Sequence, residues 1–545
     1  MTYHARHVRV VSPVSPQVRN RRLRLRRAGP GKPARPEGGR TAEPAERIVS
    51  GPGTAAIPDP RFSRLERLGT PLLAIGAVAL VLALERFVMR VAGPSFSGRM
   101  FDIAMYRDGG LIVRHAHDFH AGHLTPLYDL VSRSGSNPFI YPPFAAAIFA
   151  VMSFLSPLAL KWGITLLSVA ALGLAIWLTL GGMGLPKGRA RTGATLAASA
   201  VALWTQPVQS NLSLGQINLL LMAAIIWDLR PSSDELNKIQ ASSGSYGPVV
   251  GGAFFNTASP WWTGLATGVA AGIKLTPLIF IPYLVATRRF RQAGVAAAAF
   301  AVTVGIGFAV MPGASATYWQ SGLLDRANGT QNGNATFFFA SASNQSLRGY
   351  LSRLLTDGQA AAAPWLISAL LTIVIGLVCA TWLHRDGYPM LGVLTCAITG
   401  LLVSPISWVH HWVWVGPWLA ALGALALLAR GASWRIWVGI AGLITLAFGN
   451  FPVTAGLTGA RHGMNVINNV PMQHPLTWHG YQVIGGNIYT FVGAAGLLAL
   501  FGWGIFRAFR QAYLAQLSLS QATAPAHVEL IPETLTFASK HSGPP

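Results

Sequence analysis

Residues 71–84 read PLLAIGAVALVLAL, fourteen positions without a charge or a strongly polar side chain, and Glu85 closes the run. Similar apolar runs recur as far as Phe506. About twenty such residues, wound as helix, cross the roughly 30 Å of hydrocarbon in a bilayer. Lipid offers a backbone no hydrogen-bond partner, so segments of this kind must be helical. Composition agrees: 52% of the 545 residues are hydrophobic and 11% are charged, where a soluble chain has about a quarter charged. The expected class is an all-α polytopic protein of the inner membrane.

Working outward from that run, full spans are expected near 70–92, 160–182, 193–209, 213–230, 291–312, 363–384, 388–407, 411–429, 435–451 and 484–507. Two shorter arms, 262–273 and 276–287, flank Lys274-Leu275-Thr276-Pro277. The segment 141–158 opens on Pro142-Pro143 and is ambiguous. If it crosses, the loop with Lys187, Arg189 and Arg191 faces outward. If it only dips in, and the two arms form a tight pair, that loop turns inward. Arg230, Lys238, Arg288, Arg289, Arg291, Arg385, Arg430, Arg435, Arg507 and Arg510 then lie on the same side. Basic short loops stay in the cytoplasm, so the second arrangement is preferred, with twelve spans and both termini cytoplasmic. Domain 69–510 then carries long outer loops at 93–140, 313–362 and 452–483 and a Ser- and Gly-rich cytoplasmic insert at 231–260. Residues 511–545 form a second tail.

The formal charge of +23 invites a nucleic-acid reading, but twelve of the 41 Lys and Arg fall in the first 50 residues. Residues 1–68 therefore read as a disordered basic cytoplasmic tail touching anionic lipid, and no nucleic-acid partner is expected. The first apolar run begins too late for a cleavable signal peptide, so the first span is an uncleaved anchor. Cys379 and Cys396 lie inside apolar runs and read as small buried hydrophobes.

Only 18 residues are acidic, and the topology leaves Asp102, Asp108, Asp118, Asp129, Asp325 and Asp357 outside. Asp102 has apolar neighbours in Phe101-Asp102-Ile103-Ala104-Met105-Tyr106 that would hold it against the membrane surface. A partly dry carboxylate has a raised pKa, which suits a general base. The plainer alternative is a solvated loop aspartate. Lys274 is a charge in an apolar stretch beside a helix-breaking Thr-Pro, which suits a lipid phosphate or a snorkelling side chain. His410 and His411 follow Ser404-Pro405-Ile406-Ser407-Trp408 and suit phosphate, a shared proton or a sugar, against an interfacial aromatic belt. Adjacent histidines on a helix point apart, so no metal site is expected. Asn211, Gln216 and Asn218 at a span mouth, and Asn344, Gln345 and Arg348 in an outer loop, suit sugar hydroxyls and phosphate. Interhelical bonding is the alternative for the first group.

Six motifs stand in order: Phe101 to Tyr106, Tyr141-Pro142-Pro143-Phe144, Leu214 to Asn218, Gly272 to Pro277, Asn344 to Arg348 and Ser404 to His411. Together, over about 70–510, the chain resembles the actinobacterial polyprenyl-phosphate-mannose-dependent α-1,2-mannosyltransferases of the GT-C class. The resemblance implies a GT-C fold with short interfacial helices. It also implies inverting transfer of mannose from polyprenyl phosphate mannose to a mannosylated glycolipid acceptor, at the periplasmic face of the membrane and without metal or other cofactor. By the same resemblance Asp102 is the base, Lys274, Arg348 and one of the histidines stabilise the leaving phosphate, and Tyr106, Tyr141, Asn211, Gln216, Asn218, Asn344, Gln345 and Trp408 bind substrate. Relatives differ in acceptor, acting on phosphatidylinositol mannosides, lipomannan branches or arabinan. A secondary transporter is the alternative from another class, but it would show matching halves and short loops.

Overall fold

The structure is a computed structural model describing residues 60–91, 100–115, 127–128, 139–232, 235, 260–322, 339–356, 360–429, 431–449 and 480–523. Residues 1–59 of the expected tail 1–68, most of the loops 93–140 and 452–483, the insert from 236 to 259, and Asp118, Asp129, Asp325 and Asp357 lie outside them, while residues 60–68 of that tail are the start of the helix Pro60–Val91. Two units divide the chain, Pro58–Arg507 and a second comprising Met1–Ile57 with Ala508–Pro545. The fold below is that of the first. In the second, residues 508–523 continue the helix that begins at Ile488, so the tail expected from 511 starts as helix.

Helices dominate, and the only extended pairings among the described residues are two isolated bridges. In chain order the helices are α1 (Pro60–Val91), α2 (Phe101–Arg114), α3 (Pro143–Phe149), α4 (Pro157–Gly182), α5 (Arg189–Leu203), α6 (Gln206–Leu214), α7 (Asn218–Leu229), α8 (Leu265–Ile273), α9 (Phe280–Ala286) and α10 (Phe290–Val310). They continue with α11 (Pro312–Thr317), α12 (Leu347–Leu354), α13 (Ala362–Arg385), α14 (Pro389–Val403), α15 (Val415–Leu428), α16 (Trp434–Phe448), α17 (Tyr481–Gly486) and α18 (Ile488–Thr523).

Among the described residues seven helices are long and apolar enough to cross a bilayer, or eight if α6 and α7, bent by 116°, count as one broken span. The chain is thus a multi-pass membrane protein, but the expected count of twelve is not reached. The seven match the expected spans near 70, 160, 291, 363, 411, 435 and 484. The stretch 193–230 becomes a 15-residue α5 followed by the bent pair, and 388–407 becomes the 15-residue α14. Fifteen residues reach only about 22 Å. Hydropathy responds equally to lipid and to protein. α14 is buried on every side, from Met390 and Val393 to Leu401 and Leu402, whereas α16 buries only Phe448. A helix enclosed by other helices is as apolar as one facing lipid. Pro143–Phe154, at 12 residues, is too short to cross.

A large core joins α4, α5, α7, α14 and α15. A smaller one gathers Ile103, Tyr106, Phe139, Tyr141, Phe149 and Ile217 beneath α2. Gly109 and Gly110 let α2 settle onto the second core, since a Cβ on Gly110 would lie 2.2 Å from the Phe149 carbonyl oxygen. The far end of α2 is tied by Arg114 Nη1, which donates to Ser153 Oγ at 3.1 Å.

Candidate active site

Asp102 lies in the first turn of α2, where the unpaired amides of a helix start favour a negative charge. Tyr106 follows four residues later on the same face and is fully buried. α2 docks against the elbow between α6 and α7. Gly215 makes that elbow in the left-handed region, with φ +72°, and a Cβ there would lie 2.3 Å from Ile103 Cγ1. Only glycine meets both demands.

The elbow turns three amides toward one another. Asn211 Nδ2 donates to the Gln216 carbonyl oxygen at 2.9 Å, and Asn218 Nδ2 donates to Asn211 Oδ1 at 3.1 Å. Gln216 Oε1 accepts from the Tyr106 and Tyr141 hydroxyls at 2.9 and 3.2 Å. With its oxygen committed to the phenols, the Gln216 amide donates to Asp102. Burial raises the Asp102 pKa above its ordinary value, while that hydrogen bond and the nearby Lys274 charge hold it down. Desolvation is the largest influence, the condition that makes a carboxylate a useful base.

Lys274 ends α8 in extended conformation and turns its ammonium into the same cluster. Its Nζ donates to Asn218 Oδ1 at 2.7 Å and meets His411 Nε2 at 2.9 Å. An ammonium has only donors, so His411 Nε2 accepts and its proton sits on Nδ1, directed at the Ile406 carbonyl. These two contacts use two of the three Lys274 donors, leaving one for an anion. His410 packs edge-on against His411 with centroids 4.8 Å apart, and its buried Nε2 has no hydrogen-bond partner. A cavity of about 50 Å³ adjoins the cluster, lined by Asn218, Lys274, Thr276 and His411 and by apolar Met222, Ile225, Phe280, Leu401 and Trp414. The expectation had not included these apolar positions. Met222 and Ile225 were legible in principle, four and seven residues after Asn218 on one helix face.

The second amide group has a different place. Asn344 pairs with Trp408 in an isolated antiparallel bridge. Its side chain donates to the carbonyls of Phe339 and Pro405 at 3.2 and 3.1 Å and accepts from Ser407 N at 2.9 Å. Gln345 Nε2 donates to the carbonyls of Ala342 and Gly486, both at 2.7 Å. Both residues are fully buried; the Asn344 side chain and the Gln345 backbone N–H, which donates to the Ser407 carbonyl at 2.8 Å, stitch 339–346 to 404–409, the segment leading to the histidines. Arg348 is buried against the Phe339 and Trp365 rings, 4.2 and 4.9 Å from their centroids. Trp408 is half-buried. The structure therefore brings together Asp102, Tyr106, Tyr141, Asn211, Gln216, Asn218, Lys274, His410 and His411. It sets Asn344 and Gln345 in the frame behind them.

Among the described residues no three His, Cys, Asp or Glu side chains are grouped as metal ligands.

The profile of glycosyltransferase family 87 matches residues 139–405, a stretch that includes Tyr141, Gln216, Lys274 and Arg348 but not Asp102 or the histidines. Over 286 residues the chain is 36% identical to a polyprenol-phosphate-mannose-dependent alpha-(1-2)-phosphatidylinositol pentamannoside mannosyltransferase of Mycobacterium tuberculosis (strain CDC 1551), covering 51% of this chain and 57% of that one. A phosphatidylinositol mannoside mannosyltransferase of the same donor dependence, from M. tuberculosis H37Rv, is 30% identical over 57% of this chain and 67% of its own length. The pentamannoside enzyme of Mycolicibacterium smegmatis is 29% identical over 69% of this chain and 81% of its own length. No solved structure matches the chain.

Proposed function

Because the chain belongs to glycosyltransferase family 87, we propose that it is an inverting mannosyltransferase using polyprenyl phosphate mannose as donor. The acceptor is the 2-hydroxyl of a mannose on a phosphatidylinositol mannoside, and the site faces the periplasm from the plasma membrane, with both chain termini cytoplasmic. The observation that carries this reading is the single cluster joining a partly dry carboxylate, Asp102, to a half-buried ammonium, Lys274, through the amides of Gln216 and Asn218.

In that reading the acceptor oxygen attacks the anomeric carbon of the donor mannose while Asp102 takes its proton. The bond from the anomeric carbon to the phosphate oxygen breaks, and polyprenyl phosphate leaves with the bonding pair. One displacement inverts a β-linked donor into an α product and needs no covalent intermediate. The free Lys274 donor and the unpartnered His410 Nε2 receive the developing phosphate charge, where fixed donors in a dry site count most. Arg348, held against the Phe339 and Trp365 rings outside that cluster, has a role in phosphate binding only by the family resemblance. His411 acts as a neutral prop for Lys274. The apolar cavity lining beside Lys274 fits the isoprenoid carbons next to the phosphate. Tyr106 and Tyr141 position sugar hydroxyls, and no metal takes part, so transfer survives EDTA.

The test offers the purified full chain polyprenyl phosphate mannose with a panel of mannosylated lipid acceptors, followed by linkage analysis. An α-1,2-linked mannose on a phosphatidylinositol mannoside is expected. Transfer only to lipomannan or arabinan acceptors would reassign the acceptor. Movement of substrate across the membrane without a new glycosidic bond would support a transporter.

A further inference from the structure

α7 and α8 are fastened to one another at both ends. At one end Asn218, the first residue of α7, accepts from Lys274 at 2.7 Å. At the other, Asp228 accepts from Gly264 N at 2.9 Å, Thr267 N at 3.0 Å and Thr267 Oγ1 at 2.7 Å, all at the start of α8. The intervals 218–228 and 264–274 are equal, about 15 Å each at the helical rise, so the two helices run antiparallel between matched pins. Asp228 is only 3% exposed, and burying a carboxylate is costly unless it is fully hydrogen-bonded. Here both its oxygens are engaged, and its charge sits at the positive end of α8.

Sideways movement is blocked as well. Gly264, Gly268 and Gly272 form a seam along α8 against α10, where a Cβ would lie 2.3 Å from the Gln292 oxygen, 2.3 Å from the Ala296 oxygen and 2.1 Å from Thr303 Oγ1. The seam keeps α8 from moving toward α10, and the Asp228 pin opposes a shift along its axis. Lys274 stands where α8 ends, so any axial shift passes straight to its ammonium. A one-residue slip of about 1.5 Å would stretch or misalign the Lys274 contacts, now 2.7 Å to Asn218 and 2.9 Å to His411, and weaken both.

We propose that Asp228 is a positioning residue for donor binding, setting the height of Lys274 in the cavity from the opposite end of α8. The inference rests on Lys274 being the donor-phosphate cation. Its test is a double-mutant cycle in the full chain, with steady-state transfer from polyprenyl phosphate mannose to a phosphatidylinositol mannoside measured for wild type, Asp228→Asn, Lys274→Ala and the double variant. Asp228→Asn is expected to raise the donor KM about tenfold, to leave the acceptor KM within about twofold, and to add nothing once Lys274 is absent. Multiplying effects in the double variant, or equal changes in both KM values, would overturn it. So would a loss confined to folded yield. A wild-type donor KM for Lys274→Ala would instead remove the Lys274 reading and this inference with it. If Asp228→Asn does not fold, Thr267→Val removes only the hydroxyl donor and carries the same cycle. About a threefold rise in donor KM that vanishes without Lys274 is then expected, and a rise that persists without Lys274 overturns the proposal.

Discussion

The chain contains two groups of buried amides that look alike in sequence, Asn211, Gln216 and Asn218 in one and Asn344 and Gln345 in the other. In the first, side chains bond mainly to other side chains, linking α2, the Tyr141 segment and α8. In the second they bond to backbone, Asn344 riveting 339–346 to 404–409 and Gln345 tying the same segment to Gly486. All five residues are buried, where polar groups need partners, and of their side-chain atoms only Gln345 Oε1 has none. Who satisfies them decides the role. An amide held by side chains can pass charge and orientation between functional groups, whereas one held by peptides fixes a chain path.

Substitutions in each group should separate transfer from stability. Lys274→Ala strikes the end of the first network and is expected to reduce kcat/KM for the donor roughly 10- to 100-fold, the range of a charge-assisted hydrogen bond. The donor KM should rise more than the acceptor KM, and equal rises would mark a structural lysine. Gln216→Leu should cost about tenfold in transfer and also move the pH profile. Asp102 acts as base only when ionised, so activity falls as pH drops through its raised pKa. The Gln216 hydrogen bond lowers that pKa. Removing it raises the pKa further and shifts the acid limb to higher pH, and an unmoved limb would break the link between the two residues. Asn344→Ala should change transfer per folded molecule least, within about threefold, while thermal unfolding shows a loss of roughly 2–4 kcal/mol as buried peptide groups lose their partner. A stable but inactive Asn344→Ala would erase the distinction between the two groups.

Much of this was readable beforehand, for physical reasons. Long apolar runs announce lipid-facing helices such as α1 and α10, but the same signal from α14 reports burial in protein, and the count of twelve spans is not confirmed. Asp102 and Lys274 were visible because a charge among apolar neighbours is conspicuous in one dimension. The amide rivets were not, because their partners are backbone groups that any residue could supply. Asp228, not among the six acidic residues placed outside, gave no sign in one dimension that it is buried against the start of α8. The four-residue spacing of Gly264, Gly268 and Gly272 was the available sign that a helix there packs closely.

The most direct test of Asp102 as the base is transfer by the purified Asp102→Asn chain from polyprenyl phosphate mannose to a phosphatidylinositol mannoside, beside wild type at the same folded concentration. Asparagine keeps the size of the side chain and removes its capacity to accept the proton. Transfer is expected to fall by about 10²- to 10⁴-fold, with an unchanged melting temperature and both substrates still bound. Transfer within about threefold of wild type, well inside that range, would contradict the account.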